Sequence, residues 1–319
     1  MKYMPVVLLG LTTTLCAAGP RLIVRNGRIV TVDPAFTIHQ AMAVEGNRIL
    51  AVGRDEEVLR LKTDDTELLD LGGKMVLPGL MDSHVHPCDA AMTEFDHPIP
   101  EMESIRDVLD YFKARASLLE DGEWIVLQQV FITRLREQRY PARAELDEAA
   151  PNNPCVFRTG PDASLNTPAL KLSGIDRDFR VTDGGPGYIE KDPQTGEPTG
   201  ILRSCTRCIK SRESGRKPTE QDRYERLLAL LRDYSSVGIT GVCDGDVVQG
   251  DLDLYGQMLD KGELPVRVAA QHHVETIGPI EQIEESIRKV AQHPLRRGGP
   301  MLRVIGVKVY LDGGMLTGS

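Results

Sequence analysis

From Pro218 onward the chain alternates between two hydrophobic periods, and that alternation leaves few folds open. Tyr224, Leu227, Leu228 and Leu231 recur at i, i+3, i+4 and i+7, which is one face of a helix. Thr219 with Asp222 supplies a capping pair before it, and Gly238 a stop after it. Ile239-Thr240-Gly241-Val242-Cys243-Asp244 then reads as a strand. Leu252–Leu259 is a helix that stops near Gly262, and Val266–His273 is a strand. Ile280–Val290 is a helix with Ile280, Ile283, Ile287 and Val290 along one side, and Val304–Asp312 is a strand. Strands separated by helices of about 10–15 residues imply βαβ units and a parallel sheet.

A further strand lies far upstream. Met75, Val76, Leu77, Leu80 and Met81 form an apolar run broken by Pro78-Gly79, and the run ends in Asp82-Ser83-His84-Val85-His86-Pro87. Residues i and i+2 of a strand face the same way, about 6–7 Å apart. His84 and His86 therefore suit two ligands of one metal ion, and Asp82 could accept a hydrogen bond from one imidazole. Imidazole nitrogen serves Zn, Fe, Ni or Mn alike, so the pair does not name the metal. Taken alone, His-x-His reads as well as two polar residues at an exposed strand end.

Before this strand, residues 21–75 read as all-β. Arg25-Asn26-Gly27-Arg28 predicts one hairpin and Glu45-Gly46-Asn47-Arg48 a second. After it, helices are expected over Ser104–Leu119 and Ala142–Ala150, and strands over Trp124–Leu127 and Cys155–Arg158. Residues 182–200, dense in Gly, Pro, Asp and Thr, are expected to be loops.

An apolar strand, Pro-Gly and Asp-x-His-x-His-Pro after a β-rich leader resembles the amidohydrolase superfamily, in its amidohydrolase-3 branch, which includes the N-substituted formamide deformylase-like proteins. The resemblance implies an α/β fold: the first half of a (β/α)8 TIM-type barrel over 76–319, preceded by a small β-sheet domain over 19–75. An insertion of about residues 88–218 would separate the first two barrel strands. Active sites of such barrels lie at the C-terminal ends of the strands, where His84, His86, His273 and Lys308 fall. Lysine within Val304, Ile305, Val307 and Val309 is costly unless its charge is paired or removed, and a neutral amine can react with CO2. The resemblance of Gly306–Gly313 to the fourth strand of several amidohydrolase branches implies a carboxylated Lys308 bridging two metals. His84, His86 and Lys308 are thus the expected ligands of one or two divalent ions, zinc first. His273 and Asp312 are expected to shape the substrate pocket. His272 and His273 face opposite ways on a strand, and the sequence does not say which enters the site. In Arg158–Leu170, Asn166 and Ala169-Leu170 match a family element, but Thr159 and Pro161 replace its aspartate and histidine.

The chemistry so implied is hydrolysis of a carbon–nitrogen bond other than a peptide bond. The metal would lower the pKa of a water and polarise the carbonyl of a small-molecule substrate. The same chemistry would serve an ester, lactone or cyclic amide. The catalytic aspartate of the family, at the end of its eighth strand, would lie beyond Ser319, so no catalytic base is assigned. The chain reads as the N-terminal half of a longer hydrolase, inactive by itself and prone to aggregate through its open edge. A non-catalytic metal- or ligand-binding remnant is the reading from a different class.

The net charge of −9, from 38 basic and 47 acidic residues, argues against a nucleic-acid surface. No apolar run reaches membrane-spanning length. Lys2, the apolar stretch Pro5–Leu15 and Cys16-Ala17-Ala18 read as a secretory signal peptide over 1–18, which makes the protein secreted or periplasmic, or cytoplasmic without it. The six cysteines are too few for a disulfide scaffold. Cys205-x-x-Cys208 reads as structural, or as an exposed disulfide in an exported protein. A redox role would need a low-pKa thiol.

Overall fold

The computed structural model describes residues 19–128, 130–212 and 217–310. The expected signal peptide, Asp312 and the terminal Gly313–Ser319 lie outside the described residues. The chain divides into two compact units between Leu80 and Met81.

The first unit is β-rich. Leu22–Arg25 is flanked by Ala41–Glu45, antiparallel, and by Glu67–Asp70, parallel. Ala41–Glu45 continues into Arg48–Gly53 as the expected second hairpin. The first expected hairpin does not form. Arg28–Val30 pairs instead with Ile38–His39 and Met75–Val76 in a separate three-stranded sheet. Both edges of Leu22–Arg25 are already taken, so the Asn-Gly turns a corner between sheets rather than closing a ribbon. Asn26 adopts φ +54°. Its main-chain N–H donates to Asp55 at 2.9 Å and its side-chain amide to Asp70 at 2.8 Å, which hold that left-handed residue in place. Ile23, Ala41, Ala43 and Val58 form the unit's small core.

The second unit contains the alternating segment. Its sheet runs Leu302–Lys308, Arg267–His273, Ile239–Val247, Leu80–Val85, and the pairs among the first three of these are parallel. Helices Glu220–Ser236, Gln249–Asp260 and Ile280–Ala291 occupy the connections. Thr219 caps the first of these by accepting the N–H of Asp222, and Tyr224, Leu227, Leu228 and Leu231 are all buried against Val242, Val268 and Leu302. Gly238 has φ +88°, as a helix stop requires. The helix Ile280–Ala291 is less committed, since Val290 is buried while Ile280 is exposed. Leu80–Val85 and Leu302–Lys308 are the two edges of this sheet, and Met81, Ile305 and Val307 on them are exposed.

Between the first two strands, a five-stranded mixed sheet runs Tyr188–Lys191, Pro198–Arg203, Asp162–Leu165, Cys155–Thr159, Ile125–Leu127. Helices Ile105–Ala116, capped by Ser104, and Arg143–Ala149 occur where expected, within a few residues. Residues 182–200 do not form loops throughout. Tyr188–Lys191 and Pro198–Arg203 pair antiparallel around a turn in which Asp192 accepts the N–H groups of Gln194 and Thr195. The Gly and Pro density there marks one tight turn, and the alternating burial of Pro198–Arg203 identifies a strand. No described helix is long and apolar enough to cross a membrane.

Candidate metal centre

His84 lies within Leu80–Val85, and His86 is the residue just before the short helix Pro87–Met92, with Pro87 at its first turn, where a missing N–H costs nothing. The two rings sit 5.3 Å apart between centroids and 77° out of parallel. Two imidazoles on one tetrahedral ion, with bonds of about 2.1 Å, place their centroids about 5 Å apart. The pair fits one ion. Its neighbour explains how the rings converge: a side chain at Gly245 would stand 3.0 Å from His84 Cδ2 and Nε2 and 3.4 Å from His86 Cε1. Both imidazoles therefore rest on bare backbone of the second strand. Asp82 does not hold an imidazole; it accepts the main-chain N–H of His84 at 3.0 Å, fixing the strand end rather than a ring.

Gly245 belongs to a bulge. Asp244 lies opposite Ala270 and Val247 opposite His272, so the second strand carries one extra residue there. Bulges bend a strand and re-aim its side chains, and this one presents Asp246. One oxygen of Asp246 accepts from His273 Nδ1 at 2.7 Å and the other from the Tyr310 hydroxyl at 2.7 Å. Sequence reading passed over Asp246, because Asp-Gly-Asp at a strand end looks like turn chemistry. Burial lowers the pKa of His86, His84 lowers it further and Lys308 slightly, while Asp246 and Asp89 oppose them. These side chains thus form one electrostatic group. Asp244 is buried, accepts the Tyr255 hydroxyl at 2.9 Å, and is pushed up to about 7 by burial, against the lowering effect of that hydroxyl. Burial also raises the neighbouring Cys88 and Tyr255.

The adjacent histidines on the third strand take different partners. His273 joins Asp246 and lies 5.9 Å from the Tyr310 ring. His272 bonds through Nδ1 to the His273 carbonyl at 2.7 Å and faces His293. Both line a cavity of about 310 Å³ with Gln249, Glu275 and Lys289. Lys308 stands opposite His273 in the register. It is half-buried rather than enclosed, with Nζ 5.0 Å from the centre of the Tyr310 ring. Among the described residues no carboxylate lies within ion-pair distance of it. The strand around it is a sheet edge, so its apolar neighbours Ile305 and Val307 are themselves exposed. Among the described residues no group of three His, Cys, Asp or Glu side chains gathers as a metal set. The structure therefore brings together His84, His86 and, electrostatically, Lys308, and adds Asp246 and Tyr310 beside His273.

The other sequence motifs stand apart. Cys205 and Cys208 are free thiols on a short 3-10 turn, and burial pushes Cys205 up to about 11, the opposite of a redox-active thiol. His97 is held by Asp96 and the Tyr111 hydroxyl. It lines a larger, shallow depression of about 530 Å³, away from the strand ends.

Comparison with known proteins identifies the family. Residues 67–319 match the Amidohydrolase family. The chain is 32% identical over 308 residues to the N-substituted formamide deformylase of Arthrobacter pascens, covering 91% of the chain and 54% of that protein. It is 25% identical to the exoenzymes regulatory protein AepA of Pectobacterium carotovorum subsp. carotovorum, covering 96% of the chain and 66% of the relative. In fold it is similar to an uncharacterized metal-dependent hydrolase of Pyrococcus horikoshii OT3, with a TM-score of 0.56 at 20% identity over 92% of this chain and 55% of that one. The chain thus spans about half to two thirds of the length of these proteins. A histidine pair at a strand end, a parallel sheet behind it and a family match over most of the sequence lead to one assignment: this chain belongs to the amidohydrolase family, in its amidohydrolase-3 branch.

Proposed function

We propose that this chain forms part of a metal-dependent hydrolase that cleaves carbon–nitrogen bonds other than peptide bonds in small molecules, with N-substituted formamides as the first substrates to test. The observation that carries the reading is the His84–His86 pair, with rings 5.3 Å apart over Gly245. These two side chains would hold a divalent ion, zinc first, with Lys308 as a third ligand whose carboxylation would let it bridge two ions. Bound there, the ion would supply Lewis acidity toward a carbonyl and acidify a water. The chain's own groups do the rest. Gly245 leaves room for both rings, Asp82 fixes the His84 backbone, and His273 with Tyr310 lines the approach. The parallel sheet is read as half of a (β/α)8 barrel. The proton-transferring carboxylate is read as part of a longer gene product, so the 319-residue chain alone is expected to be inactive. Residues 1–18 are read as a signal peptide for export, which sequencing the mature N-terminus would check.

The test joins calorimetry with turnover. Zn2+ titrated into the purified chain should bind at one or two sites, and His84→Ala with His86→Ala should abolish that binding. Binding unchanged in the double variant would overturn the reading. The complete gene product should release formate and amine from an N-substituted formamide. A second reading, a non-catalytic metal- or ligand-binding protein, draws on the absence of a third clustered ligand among the described residues and on the regulatory name of one relative. Metal binding without turnover by the complete product would select it, and an ester or lactone turned over in place of the amide would select the broader hydrolase.

A further inference from the structure

We infer that Asp246 is a positioning residue that fixes the tautomer of His273, and that the site thereby selects substrates presenting an N–H, amides over esters. This rests on the hydrolase reading above for its substrate, but not for its tautomer.

The argument begins with the bulge. The extra residue in Ile239–Val247 places Gly245 against the two metal-site imidazoles and Asp246 directly after it. A carboxylate only accepts hydrogen bonds, so the nitrogen of His273 that lies 2.7 Å from Asp246 Oδ1 must carry the proton. That nitrogen is Nδ1, whereas a free neutral imidazole favours the proton on Nε2. The second Asp246 oxygen is occupied by the Tyr310 hydroxyl, so the carboxylate is clamped from both sides and cannot swing away. The Tyr310 ring lies 5.9 Å from the imidazole. Whenever its ring is neutral, His273 then has a lone pair on Nε2, and among the described residues nothing donates to it. The imidazole is 29% exposed, so a ligand can reach it.

A lone pair held at a fixed position recognises a donor. A secondary or primary amide has an N–H beside its scissile carbonyl, and an ester of the same acyl group has none. An imidazole with Nε2–H would favour neither in this way, since it would donate to the oxygen of both. Orientation of an imidazole by a carboxylate on its other nitrogen is a general means of deciding what the free nitrogen can do.

Magic-angle-spinning 15N spectra of histidine-labelled full chain at pH 8 read the tautomer directly, and they need no soluble monomer. His273→Gln assigns the signal. The expected result is an Nδ1–H ring in the wild type and in Tyr310→Phe, which removes only the second clamp. Asp246→Ala should revert the ring to Nε2–H. A wild-type His273 found as Nε2–H overturns the proposal, and this measurement stands even where Asp246→Ala fails to fold. With the complete gene product, Asp246→Ala and His273→Leu should each reduce the amide-over-ester preference in kcat/KM about tenfold, the size of one hydrogen bond. An unchanged preference in both variants also overturns it. Absence of any turnover would count against the hydrolase reading alone, since the spectra still decide the tautomer.

Discussion

Two aspartates in this molecule hold a tyrosine and a basic side chain, and they do opposite things. Asp162, in the inserted sheet, is fully buried and accepts from Tyr140, Arg203 and the Ser204 N–H at 3.1, 3.0 and 2.8 Å. Arg203 in turn stacks over the Tyr140 ring at 4.8 Å. This group is closed, because its charge is paired and its donors are directed inward. Asp246, at the strand ends, is 23% exposed and, among the described residues, accepts from His273 and Tyr310, while its basic partner keeps one nitrogen open. Arginine carries only donors and cannot change role. Imidazole has a second nitrogen whose role is set by the first. The same arrangement therefore fastens a fold in one place and prepares a contact in the other.

The comparison predicts unequal costs. Asp162→Ala removes a fully buried acceptor of Tyr140, Arg203 and the Ser204 N–H and leaves Arg203 with the more distant Glu190 at 3.9 Å, and the protein should lose about 3 kcal/mol of stability, read as a lower melting temperature. Asp246→Ala should cost less than about 1 kcal/mol, since its group is part-exposed. Should Asp246→Ala prove the more damaging of the two, the distinction between closed and open groups fails.

Metal affinity sharpens it next. His84→Ala or His86→Ala should weaken Zn2+ binding by more than about 100-fold, whereas a change to a residue that touches no ligand directly should cost less than that. Calorimetry on Asp246→Ala beside the two histidine variants separates ligands from their support.

Asp244 provides a pH test within the same strand. Its carboxyl is pushed up to about 7 in the folded protein, from an ordinary 3.8. Between these values the folded chain holds a proton that the unfolded chain releases. The group's contribution is therefore fully present below about pH 4 and is lost as pH rises through 7. Asp244→Asn keeps the acceptor for Tyr255 and removes the titration. Its melting temperature should vary less between pH 5 and 8, and it should gain on the order of 2 kcal/mol over the wild type at pH 8. An identical pH slope in the two proteins would place Asp244 in a wetter setting than its neighbours imply.

The smallest effect belongs to the exposed pair Glu284–Arg288, one helical turn apart. Glu284→Ala should change stability by no more than about 0.5 kcal/mol. It marks the floor against which the two aspartate groups are measured.

What could be read in advance followed from periodicity. The buried face of Glu220–Ser236, its Thr219 cap and the strands after it are local patterns, and they appear where the sequence puts them. The pairing of His84 with His86 was legible in part, since their spacing suits one face, but the bare backbone at Gly245 that both rings rest on was not. What was not legible depends on partners far along the chain. Asn26-Gly27 has hairpin chemistry, but pairing of Leu22–Arg25 with residues 41–45 and 67–70 overrides it. Which of His272 and His273 faces Asp246 depends on a bulge that no local pattern marks. Lys308 looks buried in an apolar run, yet the run is a sheet edge and its flanks are open.

Gly245 also constrains how this site can diverge. Its backbone angle demands no glycine, and the crowding there comes from the imidazoles, since the first atom of any side chain would stand 3.0 Å from the His84 ring and 3.4 Å from the His86 ring. Replacing it by alanine would leave charge and hydrogen bonding unchanged, yet its methyl would press on the His84 ring by a few tenths of an ångström while touching the His86 ring at ordinary contact distance. The position works as a gauge on the His84 ring, because any side chain there narrows the space that ring has. One residue without chemistry of its own can thus set how closely two histidines stand.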